Sequence, residues 1–270
     1  MTSKVAAIQM VSCSAVGPNL MTMQLLVKQA VDQGAQLIVL PENFAFMGKT
    51  PQDTLLIKET FGSGRIQDFV AKCAQTNGIW IIAGTLPLAT DDPNKISNAT
   101  LVYNSDGQRV ARYDKIHLFD VFLGGVSEVY QESSYVKPGN QVVVIESPFG
   151  KIGLSVCYDL RFPELYRQLR EKGADILVVP SAFTATTGRM HWRTLLRTRA
   201  IENQCYVIAP NQGGVHDNGR ETHGHSMIIG PWGIVMGCKE VGIGAVVADI
   251  DLIRIQVLRE EFPVWNHRRL

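Results

Sequence analysis

The chain repeats one pattern twice. At Gly34-Ala-Gln-Leu-Ile-Val-Leu-Pro-Glu-Asn-Phe44, and again at Gly173-Ala-Asp-Ile-Leu-Val-Val-Pro-Ser-Ala-Phe183, a Gly-Ala turn leads into an apolar run that stops at Pro-x-x-Phe. Each run follows a strand-like stretch and a helical pattern. In the first half these are Lys4–Met10 and a helix over about Asn19 to Gln33; in the second, Lys151–Cys157 and a helix from about Pro163. Leu37–Leu40 and Ile176–Val179 lack polar alternation, which marks parallel strands buried on both faces. Right-handed βαβ units with helices outside satisfy that pattern. Two such halves face to face predict an α/β fold, a four-layer α-β-β-α sandwich. Any two βαβ units share Gly-Ala turns and apolar strands, so the repeat alone leaves pseudo-symmetry open.

Further strands are predicted at Ile79–Thr85, Ala99–Tyr103, Val142–Glu146, Tyr206–Ala209, Ser226–Ile229 and Ala245–Ile250. Ser105-Asp-Gly-Gln108 reads as a hairpin turn joining Tyr103 to Val110. No linker rich in Pro, Gly or Ser divides the chain, so residues 1–270 are expected to form one domain. A formal charge of +1 offers no basic stripe for nucleic acid, and no stretch approaches the ~20 apolar residues of a membrane span. Lys4 is followed by a run broken at Gln9 and Ser12, which reads as a first strand and not a signal peptide. Five scattered cysteines without a C-x-x-C pair argue against a zinc site or disulfide framework and for a reducing, cytoplasmic setting. The aromatic and basic tail, Phe262 to Leu270, is expected to pack against a partner subunit.

Cys157 ends a buried strand just before a helix, where open α/β sheets place their ligands and where helix N–H groups favour a developing anion. The alternative for such a cysteine is a small buried hydrophobe. A thiol that attacks an amide needs a base, an oxyanion partner and a proton for the leaving amine. None of His117, His191, His216, His223, His225 or His267 stands in a cysteine–histidine protease context. His223 and His225 could ligate a metal from one strand face, but without further obvious ligands no metal is expected. Glu42 ends the apolar strand of the first half, where facing halves bring it towards Cys157. Desolvation there would raise its proton affinity and suit it to general-base work; the alternative is a solvated or ion-paired loop glutamate. Lys115, between Tyr113-Asp and Ile116-His-Leu-Phe119, would stabilise an oxyanion and hold Glu42, or else be an ordinary surface lysine.

Leu-Pro-Glu42, Tyr-Asp-Lys115-Ile-His-Leu-Phe and Val-Cys157-Tyr-Asp-Leu-Arg-Phe-Pro-Glu, in that order, resemble the nitrilase superfamily of carbon–nitrogen hydrolases from about Lys4 to Arg269. The resemblance implies a Glu42–Lys115–Cys157 triad, an oxyanion contact from the Tyr158 N–H and a homodimer or higher homo-oligomer. It also implies an assisting glutamate, assigned to Glu132 in Gln131-Glu-Ser133. The segment Val121–Val126 lacks the Asp-x-Pro-Gly of many relatives, so Glu128 stays a rival for that role.

Cys157-Tyr-Asp159 differs from the Cys-Trp-Glu of true nitrilases, and neither a synthetase domain nor membrane spans accompany it. Pro180–Thr184, Thr187-Gly188, His191-Trp-Arg193, Arg197–Glu202 and Gly224-His-Ser226 look most like the branch holding the deaminated glutathione amidases and omega-amidases. That resemblance implies hydrolysis of a small-molecule amide through a Cys thioester, with no cofactor. Thr187, His191 and Arg199 are the substrate-binding candidates, and Thr184–Trp192 the expected pocket wall. Arg161 would bind a carboxylate or pair with Asp159 and Glu164. The competing class, a binding protein that kept the fold, would have lost Glu42, Lys115 or Cys157.

Overall fold

The computed structural model describes residues 2–123 and 128–269, with two six-stranded sheets. Three central strands are parallel in each: Thr2–Gln9, Leu37–Val39 and Trp80–Ala89 in the first, and Ile152–Leu154, Ile176–Val178 and Tyr206–Ala209 in the second. An antiparallel strand flanks each trio on one side, Gly244–Asp251 beside Thr2–Gln9 and Val144–Ile145 beside Ile152–Leu154. Two more follow on the other side: Ile96–Tyr103 and Arg109–Asp114 in the first sheet, Ser226–Ile229 and Val235–Lys239 in the second. The halves therefore match strand for strand. Val5 lies opposite Leu37 as Ile152 lies opposite Ile176. Counting on from those pairs, Met10 is the counterpart of Cys157, and Ser181 of Glu42.

Side chains alternate between two apolar environments, which is why the strand sequences show no polar period. Val5, Ala7, Leu37 and Val39 meet Ile152, Leu154, Ile176 and Val178 between the sheets. Ala6, Ile8 and Ile38 point outward beneath helices Val16–Asp32 and Arg65–Asn77, with Met23, Val27 and Val70. Leu177 and Val179 do the same beneath helices Pro163–Glu171 and Arg193–Asn203, with Leu165, Leu169 and Leu196. The layers run helix, sheet, sheet, helix, as predicted.

Local departures have local causes. The first helix starts at Val16 and not near Asn19, because Pro18 fits a first helical turn. Buried Asn19 instead bonds Cys13 and the Ala45 carbonyl. The strand expected over Val142–Glu146 shrinks to Val144–Ile145. A hairpin of Asp120–Leu123 and Glu128–Gln131 was not anticipated. In the tail, Trp265 lies beneath the guanidinium groups of Arg167, Arg170 and Arg268, and Arg268 pairs with Glu171 at 3.0 Å. Trp265 and Arg268 are thus held within the chain, on helix Pro163–Glu171. No helix among the described residues is long and apolar enough to cross a membrane.

Candidate active site

Strand ends from both halves converge on one cavity. Glu42 follows Leu37–Val39, and its loop is fixed by Leu40 N–H to the Ile82 carbonyl and Asn43 N–H to Thr85 Oγ1, at 2.9 and 3.0 Å. Gly84 permits that approach, since a Cβ there would lie 1.9 Å from the Pro41 carbonyl oxygen. Lys115 stands one residue beyond strand Arg109–Asp114. Cys157 opens a short 3-10 turn, Cys157–Arg161, at φ 47°, and its N–H donates to the Pro180 carbonyl at 2.9 Å. A non-glycine residue in the left-handed region costs roughly 1–3 kcal/mol and persists only where the surrounding structure holds it.

The side chains form a closed charge network. Lys115 Nζ, 2% exposed, donates to Glu42 Oε1 at 3.0 Å and to both Glu132 oxygens at 3.0 and 2.8 Å. The second Glu42 oxygen accepts the Ala182 N–H at 2.9 Å, from the matching Pro-x-x-Phe loop of the other half. Asn98 Nδ2 bridges Glu42 and Glu132 at 3.0 and 3.3 Å, and Phe119 N–H donates to Glu132 at 2.7 Å. The Cys157 sulfur shares the cavity wall with Glu42 and is coupled electrostatically to its carboxylate. Burial acts to raise the Glu42 pKa, but Lys115, the thiol and Arg220 outweigh it and hold the carboxyl below its ordinary 4.5. The raised proton affinity expected for Glu42 is thus corrected: its cationic neighbour prevails over desolvation. Burial also acts against the Lys115 charge, yet Glu132 and Glu42 drive its pKa well above the ordinary 10.5. For Cys157, burial pushes the thiol strongly up and Glu42 adds to it, against Lys115 and the Ala182 N–H. Burial and Glu42 thus favour the neutral thiol, while Lys115 favours the ionised carboxylate beside it.

Beneath the network, buried Asp159 accepts from Tyr113 O–H at 2.6 Å, from the His117 N–H at 3.0 Å and from the Val156 N–H at 2.8 Å. His117 Nδ1 lies 2.7 Å from it, and the ring stacks on Phe162. One carboxylate thus ties the Lys115 segment to the Cys157 turn.

The other sequence candidates divide. Thr187 lines the cavity, with its hydroxyl 2.9 Å from that of Thr184. Tyr158 lines it too, and its N–H sits in the first turn of the 3-10 segment, where amides lack an intrahelical acceptor. Arg161 lies at the rim between the Tyr158 and Phe183 rings, 3.2 Å from His191, which is exposed. Its expected pairing with Asp159 does not form, because Asp159 is buried with other partners. Arg199 is a correction. Its guanidinium bonds the Leu160 carbonyl at 3.1 and 2.8 Å and Glu202 at 2.8 Å, packed over Tyr166 and away from the cavity. Trp192 is buried in the outer core and donates to the His225 carbonyl, so the pocket wall ends at Thr187. The Glu128 side chain and residues 124–127 lie outside the described residues.

His223 and His225 stack at 4.2 Å, and burial, with His225 and Arg189, lowers His223 to about 4. No group of three or more His, Cys, Asp or Glu suited to a metal occurs among the described residues. Sequence reasoning missed Asn98, Asp159 and Arg220. Asn98 is a buried carboxamide in a strand buried along its whole length, two positions into Ile96–Tyr103 and just before the strand read from the sequence.

Residues 4–260 match the carbon-nitrogen hydrolase family. The chain is 43% identical over 266 residues to a deaminated glutathione amidase of Synechocystis, covering 97% of each. Among solved structures it is similar to the C. elegans NitFhit protein, at 36% identity and a TM-score of 0.91, spanning 99% of this chain but 65% of that one. It is also similar to Saccharomyces cerevisiae Nit3, a member of branch 10 of the nitrilase superfamily, at 28% identity and 0.89, covering 100% and 97%. A Glu42–Lys115–Cys157 cluster at the facing strand ends of an α-β-β-α sandwich, in a chain matched almost throughout, makes the assignment: this chain belongs to the carbon–nitrogen hydrolases of the nitrilase superfamily.

Proposed function

We propose that the chain hydrolyses deaminated glutathione, the tripeptide whose amino group has become a ketone, to 2-oxoglutarate and cysteinylglycine. The observation that carries this reading is a thiol and a carboxylate that share one cavity with a buried ammonium bonded to the carboxylate, with two guanidinium groups in the cavity wall. The substrate carries two carboxylates, and guanidinium is their best side-chain partner. Arg161, at the rim beside Thr187, suits the carboxylate of the 2-oxo acid.

Because the thiol is hard to ionise and Glu42 is held ionised, proton transfer accompanies attack. As Sγ bonds the amide carbon, its proton passes to Glu42, and the oxyanion is received by Lys115 and the Tyr158 N–H. Glu42 then protonates the departing amine as the C–N bond breaks, leaving a thioester on Cys157. Water, deprotonated by Glu42, cleaves the thioester, and the proton returns to sulfur. Glu132 and Asn98 hold Lys115 and Glu42 in register throughout.

The test is kcat/KM for deaminated glutathione and 2-oxoglutaramate side by side. At least a tenfold preference for the former is expected, about 1.4 kcal/mol. A tenfold preference for 2-oxoglutaramate would make the chain an omega-amidase. The reading also places the enzyme in the reducing cytoplasm, where its five free cysteines stay reduced. It takes residues 1–270 as one domain that assembles as a homodimer or higher homo-oligomer. The exposed apolar strip of Trp232, Ile234 and Val257 supports assembly, and light scattering would show a monomer if that is wrong.

A further inference from the structure

We propose that Arg220 determines specificity for the leaving half of the substrate, holding its terminal carboxylate in a second cavity beside the catalytic one; the proposal rests on the amidase reading above. Arg220 lies in the turn between strands Gly213–Val215 and Glu221–His223, its backbone fixed by His216 and Asn218. Nη2 donates to the Ala182 carbonyl at 2.7 Å, and the guanidinium lies 5.6 Å from the Tyr130 ring centre. Nε is buried without a partner. Arg112, Arg167, Arg199 and Arg259 all pair with carboxylates, but among the described residues no ion pair reaches Arg220. Arg220 thus brings to the wall of both cavities a guanidinium that no carboxylate of the described residues neutralises, and a ligand carboxylate would pair with it.

The second cavity has a volume of about 150 Å³ and shares Asn43, Tyr130, Glu132, Tyr135 and Arg220 with the catalytic cavity. Beyond that shared wall its lining includes Phe46, Met47 and Pro87, the polar Asn98 and Asn218, and Lys49, a second cation that would add to the attraction for a carboxylate. Cys157 and Arg161 are not in its walls. The acyl half stays on Cys157 as the thioester, so a carboxylate in this second space belongs to the group that departs. Ammonia, the leaving group of 2-oxoglutaramate, has no use for it. Arg220 also helps to keep Glu42 ionised. Losing its charge would therefore depress turnover of every amide, and the test must separate the two roles.

The experiment compares wild type, Arg220→Gln and Arg220→Lys on three substrates: deaminated glutathione, the same compound with its glycine carboxylate converted to a carboxamide, and 2-oxoglutaramate. Wild type should lose about 10- to 100-fold in kcat/KM when the carboxylate becomes a carboxamide, mainly through KM, as loss of a charged hydrogen bond predicts. Arg220→Gln should show a similar loss on deaminated glutathione, beyond any factor common to all three substrates, and no further loss on the carboxamide. Arg220→Lys should recover part of it. Equal losses by Arg220→Gln on all three substrates, or a carboxamide penalty equal in wild type and variant, would overturn the assignment while leaving the substrate reading intact. Wild type unable to turn over deaminated glutathione would overturn both.

Discussion

The pseudo-symmetry that pairs Cys157 with Met10, and Glu42 with Ser181, offers two versions of the same place in the fold. Around Met10 the buried polar groups are neutral and mutually satisfied. Gln9 bonds the Gly242 carbonyl and the Ser226 N–H, Gln212 bonds Ser12 and the Glu42 carbonyl, and Ser181 bonds Val179. Met10 itself is core. Around Cys157 the groups are charged, the nucleophile sits at a positive φ, and a cavity opens onto them. One strand end joins the halves; the other keeps strain and unused bonding capacity for a ligand. Architecture supplies the place, and residue type decides whether it becomes structure or chemistry.

Exchanging residue types tests that contrast. Cys157→Ser should remain folded yet lose about a thousandfold or more in turnover, since an alcohol is far harder to deprotonate than a thiol. Met10→Leu, its counterpart, should leave kcat within a factor of about two and cost less than ~1.5 kcal/mol of stability.

Lys115→Met should cost about 100- to 1000-fold in kcat by removing an oxyanion donor. It should also destabilise by about 3–5 kcal/mol, since it leaves Glu42 and Glu132 buried without their cation. The sign with pH follows from the lowered Glu42 pKa. The Lys115–Glu42 contribution to stability is complete above the ordinary 4.5 and is lost as pH falls through the lower folded value. The acid limb of kcat/KM should lie below 4.5, and an acid limb near 6–7 would mean that Lys115 does not govern Glu42.

Asp159→Asn should have a smaller effect, about tenfold in kcat, with a stability loss of roughly 1–3 kcal/mol from its weakened contacts to Tyr113, His117 and Val156. As a positioning residue it should lower kcat while leaving the acid limb unmoved. Gln9→Leu should be the mildest for activity. It should lose about 1–3 kcal/mol of stability by orphaning the Ser226 N–H, and leave kcat unchanged within about twofold. A large kcat loss in Gln9→Leu would erase the distinction between the two strand ends.

Much of this contrast was legible in the residues. Apolar runs ending in Pro-x-x-Phe reported both sheets, because strands covered on both faces cannot alternate. Glu42, Lys115 and Cys157 each stand at a strand end, where position alone hints at a ligand. What escaped depends on partners distant in sequence. Asp159 reads as half of an ion pair with Arg161 until the fold surrounds it with Tyr113 and His117. Arg199 reads as a carboxylate binder until Leu160 and Glu202 use its donors. The Glu42 pKa could not be signed from position, because burial and Lys115 oppose each other and only their distance decides.

The central claim is that the strand end with unused capacity performs covalent chemistry at Cys157 with Glu42 as its base. Rapid quenching of the enzyme during turnover of deaminated glutathione, followed by peptide mass spectrometry, tests it most directly. The account predicts a 2-oxoglutaryl thioester on Cys157 alone, absent in Glu42→Gln. Acylation at Cys13, Cys73, Cys205 or Cys238, or turnover with no adduct on Cys157 at any quench time, would contradict it.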